Sequence, residues 1–350
     1  ADELQGDRVG MTAGGNIVAD TIEAGTGAAD SGDLADRQSI DLVSTGGSVT
    51  VNTAQAFGAG HDIDIRAANA LTANSLNAGG TLVGRAGDAI AIGAATAGED
   101  VALRSNGSTI TVTGATTAGD DVLLTAAGAI ATGSVTASGT GPDTRTVTFG
   151  AGALDAAYAA ETNPGADIVV NSTGASTTAN GAVTAASDVT VTAATSVTHL
   201  ATTTATAGNV TVNSGTSTQL VGDVTSGVNT TVTAGTTAAL QQNVTAGGNY
   251  TVTGGTGVTL GDAQARTQAA GGAVTLTATS GDVAKGAGRL TVVSNSDLAG
   301  TEALTITATN ANIVLATSQL TGGSIAGRES DVVLSASGAI TADDLDGDRV

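Results

Sequence analysis

The stretch Asn243-Val-Thr-Ala-Gly-Gly-Asn-Tyr-Thr-Val252 holds, in ten residues, the two patterns that decide the fold of this chain. Two short alternations, Val244-Thr-Ala246 and Tyr250-Thr-Val252, flank the turn sequence Gly247-Gly-Asn249. Alternation has period two, so each segment predicts a strand with one inward and one outward face. Gly and Asn favour a tight turn between the two segments. Because strands this short do not bury themselves alone, the pattern predicts stacking on similar segments elsewhere in the chain.

Those similar segments are present along most of the sequence. An aliphatic-x-aliphatic motif, usually preceded by Asp or Asn, recurs at steps of mostly 19 to 21 residues, with longer steps near 122–147, 250–274 and 274–332. It reads Val101-Ala-Leu103, Val122-Leu-Leu124, Ile168-Val-Val170, Val189-Thr-Val191, Val210-Thr-Val212, Tyr250-Thr-Val252, Val274-Thr-Leu276, Leu304-Thr-Ile306 and Val332-Val-Leu334. A second element precedes it, as in Ser134–Ala137, Ala182–Ala185, Asp223–Ser226 and Asn243–Ala246. A third apolar piece lies between them, as in Ile110–Val112 and Ala129–Ile130.

Three short strands in each repeat predict an all-β fold, a right-handed parallel β-solenoid (β-helix) of about 15 coils with repeats of roughly 20 residues. Each strand would pair in parallel with its copy one coil away, at about 4.8 Å. No segment holds a helical period, and hairpin dipeptides are too few for a β-sandwich. The inward positions should include Val122, Leu124, Val189, Val191, Val210, Val212, Val274 and Leu276.

Composition limits the function classes that remain open. The net charge is −21 with a single lysine, so nucleic acid and anionic membrane surfaces are disfavoured as partners. No apolar stretch approaches the roughly 20 residues of a membrane-spanning helix, so membrane insertion is not expected. Cysteine is absent, which excludes disulfides, thiolate metal sites and cysteine nucleophiles. Aromatic residues are 1% of the chain, whereas Val and Ile are abundant, which suits a thin core.

A larger repeat overlies the coil repeat. Ala1–Val9 and Ala342–Val350 are identical at seven of nine positions, 341 residues apart. We therefore expect 1–350 to be one continuous solenoid segment, with a tandem unit of 341 residues that restarts at 342. Its partners would be tandem units in one chain or separate copies stacked end to end, and about 15 coils at about 4.8 Å give an axial repeat near 70 Å.

The phrase Val-Thr-Ala-Gly-x-Asp-Val-x-Leu, with variants around 115–124, 183–191 and 244–252, resembles the coils of filamentous haemagglutinin-like giant adhesins. These are exoproteins of bacterial two-partner secretion, and the resemblance covers nearly the whole chain except about 139–166. It implies an extracellular or cell-surface location and a structural or adhesive shaft that mediates adhesion, cell aggregation or biofilm. Host or cell-surface glycans and proteins are the partners that it suggests.

Residues 138–166 form an irregular insertion that contains both prolines, Phe149 and Tyr158. The run Ala153–Glu161 is compatible with a short helix or an extended loop that leaves the rod. As the longest departure from the repeat, the insertion is the best candidate for a lateral contact site, although a tolerated insertion at a coil corner is an equal alternative.

Asp or Asn recurs just before the first strand of many coils, which predicts a ladder along one edge of the solenoid. Turn chemistry and stacked side-chain hydrogen bonds explain this ladder better than calcium does, since a dedicated calcium motif is missing. The densest acidic cluster lies around Gly347, and its weak candidate Ca²⁺ ligands are Asp343, Asp344, Asp346 and Asp348.

No catalytic or cofactor-binding residues stand out, and the sequence predicts that the protein is not an enzyme. The only histidines, His61 and His199, have no neighbouring ligand at metal spacing and are expected to be outward side chains. The alternative is a carbohydrate-active β-helix enzyme, such as a polysaccharide lyase or depolymerase, because such enzymes share the solenoid fold.

Overall fold

In the computed structural model the chain is all-β and parallel, a β-solenoid of about 14 turns spaced by about 21 residues. The structure describes residues 2–25, 38–143, 145–149, 156–160, 164–261, 266–270, 272–286, 290–295, 302–321 and 331–346. The solenoid prediction is thus confirmed, with about 14 turns rather than about 15. Residue contacts divide the chain into two units, Ala1–Ala186 and Ser187–Val350.

In the first unit, each coil begins with a strand of the sheet that we call the first-strand sheet. These strands pair in parallel with their neighbours, for example Val101↔Val122 and Leu103↔Leu124 between two consecutive coils. They are β2 (Val9–Ala13), β4 (Gln38–Ser44), β6 (Asp62–Ala67), β8 (Leu82–Ala86), β10 (Val101–Ser105), β13 (Val122–Ala126) and β18 (Ile168–Ser172).

The rest of each coil in the first unit belongs to a second sheet. Its strands are β1 (Glu3–Gly6), β3 (Ile17–Ala24), β5 (Val49–Ala56), β7 (Leu71–Ala78), β9 (Ile90–Ala97), then β11 (Ile110–Val112) with β12 (Thr116–Ala118), β14 (Ile130–Thr132) with β15 (Val135–Ala137), and β19 (Thr177–Ala179) with β20 (Val183–Ala185). Strands β16 (Arg145–Phe149) and β17 (Ala156–Ala160) form a hairpin that pairs with neither sheet.

The long strands show how the chain turns a corner inside the second sheet. In β7 the buried residues are Leu71, Ala73, Leu76 and Ala78, so the inward spacing is two, then three, then two. The single step of three shifts the alternation by one residue, which bends the strand while both halves keep an inward face. From β11 to β20 the corner separates two short strands, as the three-segment repeat of the sequence predicts.

The second unit repeats the same plan. Its first strands are β21 (Val189–Ala193), β24 (Val210–Ser214), β27 (Thr230–Ala234), β30 (Tyr250–Gly254), β33 (Val274–Ala278), β36 (Glu302–Ala308) and β38 (Asp331–Ala336). The remaining strands are β22 (Val197–His199), β23 (Thr203–Ala205), β25 (Thr218–Leu220), β26 (Val224–Ser226), β28 (Thr237–Leu240), β29 (Val244–Ala246), β31 (Gly257–Leu260), β32 (Arg266–Ala270), β34 (Val283–Lys285), β35 (Leu290–Asn295), β37 (Ile313–Thr321) and β39 (Ile340–Asp346).

The core of each unit is a set of one-residue-wide aliphatic stacks. All eight inward positions predicted from the sequence are fully buried, namely Val122, Leu124, Val189, Val191, Val210, Val212, Val274 and Leu276. In the second unit, for example, Val210 and Val212 stand in register with Val189 and Val191. A core of this width needs no large aromatic residues, which explains how a chain so poor in them folds.

The two copies of the nine-residue repeat occupy the same place in a coil where both are described, at 2–5 and 343–346. In the first unit, Leu4 of β1 stands in register with Ile22, in the second half of β3. In the second unit, Leu345 of β39 stands in register with Leu320, in the second half of β37. Leu4 and Leu345 are the matched leucines of the repeat, so the 341-residue spacing returns to the same phase of the coil.

Candidate functional site

The Asp/Asn ladder forms as hydrogen bonds between consecutive coils. In the second unit, Oδ1 of Asp188 accepts from the backbone N–H of Asn209 at 2.6 Å and from its side-chain amide at 3.1 Å. Asn209 makes the same two contacts with Asn229, at 3.2 and 3.1 Å. In the first unit, Oδ1 of Asp121 accepts from the N–H of Asp167 at 2.9 Å. The expected stacking of side-chain hydrogen bonds is therefore confirmed.

The structure leaves the candidate calcium ligands on a strand rather than in a binding loop. Asp343, Asp344 and Asp346 are exposed on β39, and Asp348 lies outside the described residues. Asp343 and Asp344 lie at the corner of β39, between Ala342 and Leu345, and both side chains are exposed there. Within the part of the chain that the structure describes, no group of three or more His, Cys, Asp or Glu residues has the arrangement to hold a metal ion.

The expectation that both histidines face outward is wrong. His199 ends β22 on the same face as Val197, is 1% exposed, and stands in register with Leu220. Its Nδ1 lies 2.9 Å from the Thr203 hydroxyl, and burial lowers the pKa of His199 to about 4. The Val-Thr-His alternation of β22 predicts an inward His199. The outward expectation relied instead on the rarity of histidine in protein cores, which was the less reliable criterion.

His61 is also buried, at a corner of the first unit. It is 8% exposed, and its Nδ1 lies 2.6 Å from Oγ of Ser39, which is 5% exposed. A Ser–His contact of this length is what nucleophilic catalysis requires, but a nucleophile must also reach its substrate. Because both side chains are buried, Ser39 and His61 satisfy each other's hydrogen-bonding groups, and the Ser39 hydroxyl is not presented to a substrate.

Within the insertion, the described residues 145–149 and 156–160 form a hairpin rather than a helix or an extended loop that leaves the rod, and the rest of the run Ala153–Glu161 lies outside the described residues. Strands β16 and β17 pair antiparallel, from Arg145↔Ala160 to Phe149↔Ala156. Val147 packs on the outer face of the first-strand sheet, in a buried cluster with Val83 and Ala102. Sequence reasoning missed this contact. The available signal was that the outward positions of Val83 and Ala102 are apolar, because a solenoid with nothing packed on that face would expose them to solvent.

Partly buried side chains complete the contact between hairpin and sheet, which we call the hairpin contact. Leu123, Phe149 and Ala156 pack around the buried cluster. The guanidinium of Arg104 lies 5.6 Å from the ring centroid of Phe149, within range of a cation–π interaction. The hairpin contact therefore combines apolar packing with one cation–π interaction.

A cavity of about 80 Å³ lies beside the hairpin contact. Thr146 and Val147 of the hairpin line it, together with residues of three coils: Asp100, Val101, Ala102, Asp121, Val122, Leu123, Asp167 and Val169. Val169 is 37% exposed, so the apolar face of the sheet continues beyond the hairpin. The hairpin thus covers part of this face and leaves a gap next to it.

Sequence reasoning also missed an arginine stack on the same outer face. Arg66, Arg85 and Arg104 recur at intervals of 19 residues, and they stand in register on β6, β8 and β10. Arg85 is 2% exposed and pairs with Asp64, which is 1% exposed. Arg66 lies 3.4 Å from the same carboxylate. The spacing of 19 was the available signal, because it equals one coil.

No protein-family model matches the chain, and neither a curated protein nor a solved structure matches it. Among the described residues, no helix is long and apolar enough to cross a membrane.

Proposed function

We propose that this chain is a structural unit of a shaft, in which one unit continues into the next by parallel strand pairing in the same register. The equivalent positions of Leu4 and Leu345 support this proposal, because they let a following unit restart at the phase where the preceding one stops. In such an assembly the matched nine-residue segment is one element shared by two units.

The proposed continuation makes a testable statement about Ile340, on the last described strand. Ile340 pairs with Ile313, which is fully buried, yet Ile340 itself is 46% exposed. An aliphatic side chain in a core position favours cover by another strand. In a tandem assembly, Ile17 of the next unit falls 18 residues after Ile340 and takes the position above it.

We place the shaft at an extracellular bacterial surface, in adhesion, cell aggregation or biofilm. The strongly acidic charge keeps neighbouring shafts apart and soluble, and the coils resemble those of filamentous haemagglutinin-like adhesins. Intact, unpermeabilised cells that make the protein should bind an antibody raised against residues 38–143, and labelling only after permeabilisation would contradict this location.

The pairing of units is tested with a double-length chain in which residue 341 of one copy is followed by residue 1 of the next. The natural sequence has no cysteine, so Ile340→Cys gives a single reactive thiol in either copy. A cysteine at 340 of the first copy should react with a thiol reagent about tenfold more slowly than the same cysteine in the second copy, because only the first is covered.

Val18→Cys is the matched control, since Val18 is 64% exposed on the outward face of β3 and should react equally in both copies. Equal rates for the two Ile340→Cys chains, with a β-rich circular dichroism spectrum retained, would refute continuation of the solenoid.

A further inference from the structure

The first strands of the second unit present an almost uniform outer face. In β21, the buried Val189, Val191 and Ala193 alternate with the partly exposed Thr190 and Thr192. The same alternation recurs in β24, β27, β30, β33 and β36. We call the outward residues of these six strands the threonine lattice, namely Thr190, Thr192, Thr211, Asn213, Thr231, Thr233, Thr251, Thr253, Thr275, Thr277, Thr305 and Thr307. Every lattice residue except Asn213 is threonine.

The lattice residues stand in register. Consecutive strands pair in parallel without a shift, so that Thr211 lies beside Thr190, and Thr231 beside Thr211. The same pairing continues from β27 to β36. Neighbours in one column are therefore about 4.8 Å apart, and the two columns are about 6.7 Å apart, which is twice the rise per residue of a strand. A β-branched side chain has few χ1 rotamers, so the hydroxyl and methyl groups repeat at the same two distances.

The fold does not require this uniform face. In the first unit the equivalent outward positions carry Val83, Arg85 and Leu123, although the strands pair in the same parallel way. Threonine suits strands, but strand propensity does not explain why no charged residue interrupts the lattice in a chain with 32 acidic residues. The uniform face is therefore a candidate binding surface.

The chemistry of the threonine lattice favours one ligand. A threonine hydroxyl both donates and accepts hydrogen bonds, as water does, and the methyl group beside it restricts the orientations of first-shell water. The lattice has no aromatic side chain to stack on the sugar rings of a polysaccharide. A second copy of the chain would bring together two proteins that each carry a net charge of −21. Ordered water is the ligand that suits an uncharged array of hydroxyl and methyl groups.

We propose that the threonine lattice binds the surface of ice. Oxygen atoms on the faces of hexagonal ice recur at two distances close to the two spacings of the lattice, so the threonine hydroxyls can take the places of water molecules in several rows at once. Liquid water has no such period, which makes the interaction selective for the crystal. This inference goes beyond the shaft, because it depends only on the coils of the second unit.

Growth of ice from a dilute solution of the full chain tests the proposal. A slowly growing ice crystal excludes most solutes, so the fraction of protein found in the ice measures binding. The natural chain should be enriched in the ice. Thr231→Tyr, in the interior of the lattice, should lower this enrichment by about tenfold, because the larger ring holds neighbouring residues away from the crystal and contact energy falls steeply with a gap.

Thr225→Tyr is the matched control. Thr225 is an exposed outward threonine of β26, in the same unit but outside the lattice, so the enrichment of this variant should equal that of the natural chain. If Thr231→Tyr loses its β-rich circular dichroism spectrum, Thr233→Tyr replaces it, since Thr233 is exposed on the same strand.

Exclusion of the natural chain from the ice would overturn the proposal, and so would equal enrichment of the natural chain, the lattice variant and the control variant. Two further measurements identify other occupants of the face. A dimer in sedimentation that Thr231→Tyr disrupts would assign the face to a second copy of the chain. Binding to crystalline cellulose that Thr231→Tyr abolishes would assign it to a polysaccharide. Without enrichment in ice, either result overturns the proposal.

Discussion

The buried histidine of the second unit predicts how stability depends on pH. His199 is 1% exposed and its pKa is about 4 in the folded chain, against 6.5 for an unperturbed histidine. Below pH 6.5 the unfolded chain therefore binds a proton that the folded chain does not. The contribution of His199 is complete above pH 6.5 and is lost as the pH falls toward 4.

The size of this loss follows from the two pKa values. Their difference corresponds to about 3 kcal/mol of unfolding free energy, at about 1.4 kcal/mol per pH unit. His199→Leu places a leucine in register with Leu220 and removes the titrating group. Because every other ionisable group remains, the difference in stability between the natural chain and the variant isolates His199.

Urea denaturation followed by far-ultraviolet circular dichroism at pH 7, 5.5 and 4 measures this difference. We expect the variant to gain about 3 kcal/mol relative to the natural chain between pH 7 and pH 4. Thr203→Val is the control, since it removes the hydroxyl that contacts Nδ1 at 2.9 Å and keeps the histidine. Its pH dependence should follow that of the natural chain. Parallel curves for the natural chain and His199→Leu would refute desolvation as the cause.

Four further outcomes are expected in denaturation experiments. Val191→Asp should cost several kcal/mol because it buries an unpaired charge in the core stack, whereas Thr190→Asp on the outward side should cost little. Arg85→Leu should destabilise the fold by about 3 kcal/mol, because it removes the main partner of the buried Asp64 carboxylate. Adding Asp64→Leu to that variant should restore most of the lost stability, and a double variant that recovers none would contradict the pairing. Tyr250→Phe should leave stability unchanged or raise it by about 1 kcal/mol, since the buried Tyr250 hydroxyl has no hydrogen-bond partner among the described residues. A clear loss of stability would show that the hydroxyl does make a hydrogen bond. Millimolar Ca²⁺ should change the melting temperature little relative to chelator, and a rise of about 15 °C would reveal a calcium site.

The sequence by itself determined the repeating part of the molecule. In a parallel solenoid each coil templates the next in register, so alternation such as Val189-Thr-Val191 fixes both the strand and its inward face. The same spacing predicts the Asp188–Asn209 ladder. Strict use of the alternation also predicts the burial of His199. Local pattern suffices there because every contact partner is a copy at a known spacing.

Only the tertiary structure decided the parts that break the repeat. The coil period does not specify the partner of an insertion, so the packing of Val147 on Val83 could not be derived from spacing. Asp64 and Arg85 point outward as the alternation predicts, but their burial is not something that the alternation predicts. Outer faces in a solenoid are set by what packs on them, and that depends on the path of the non-repeating chain.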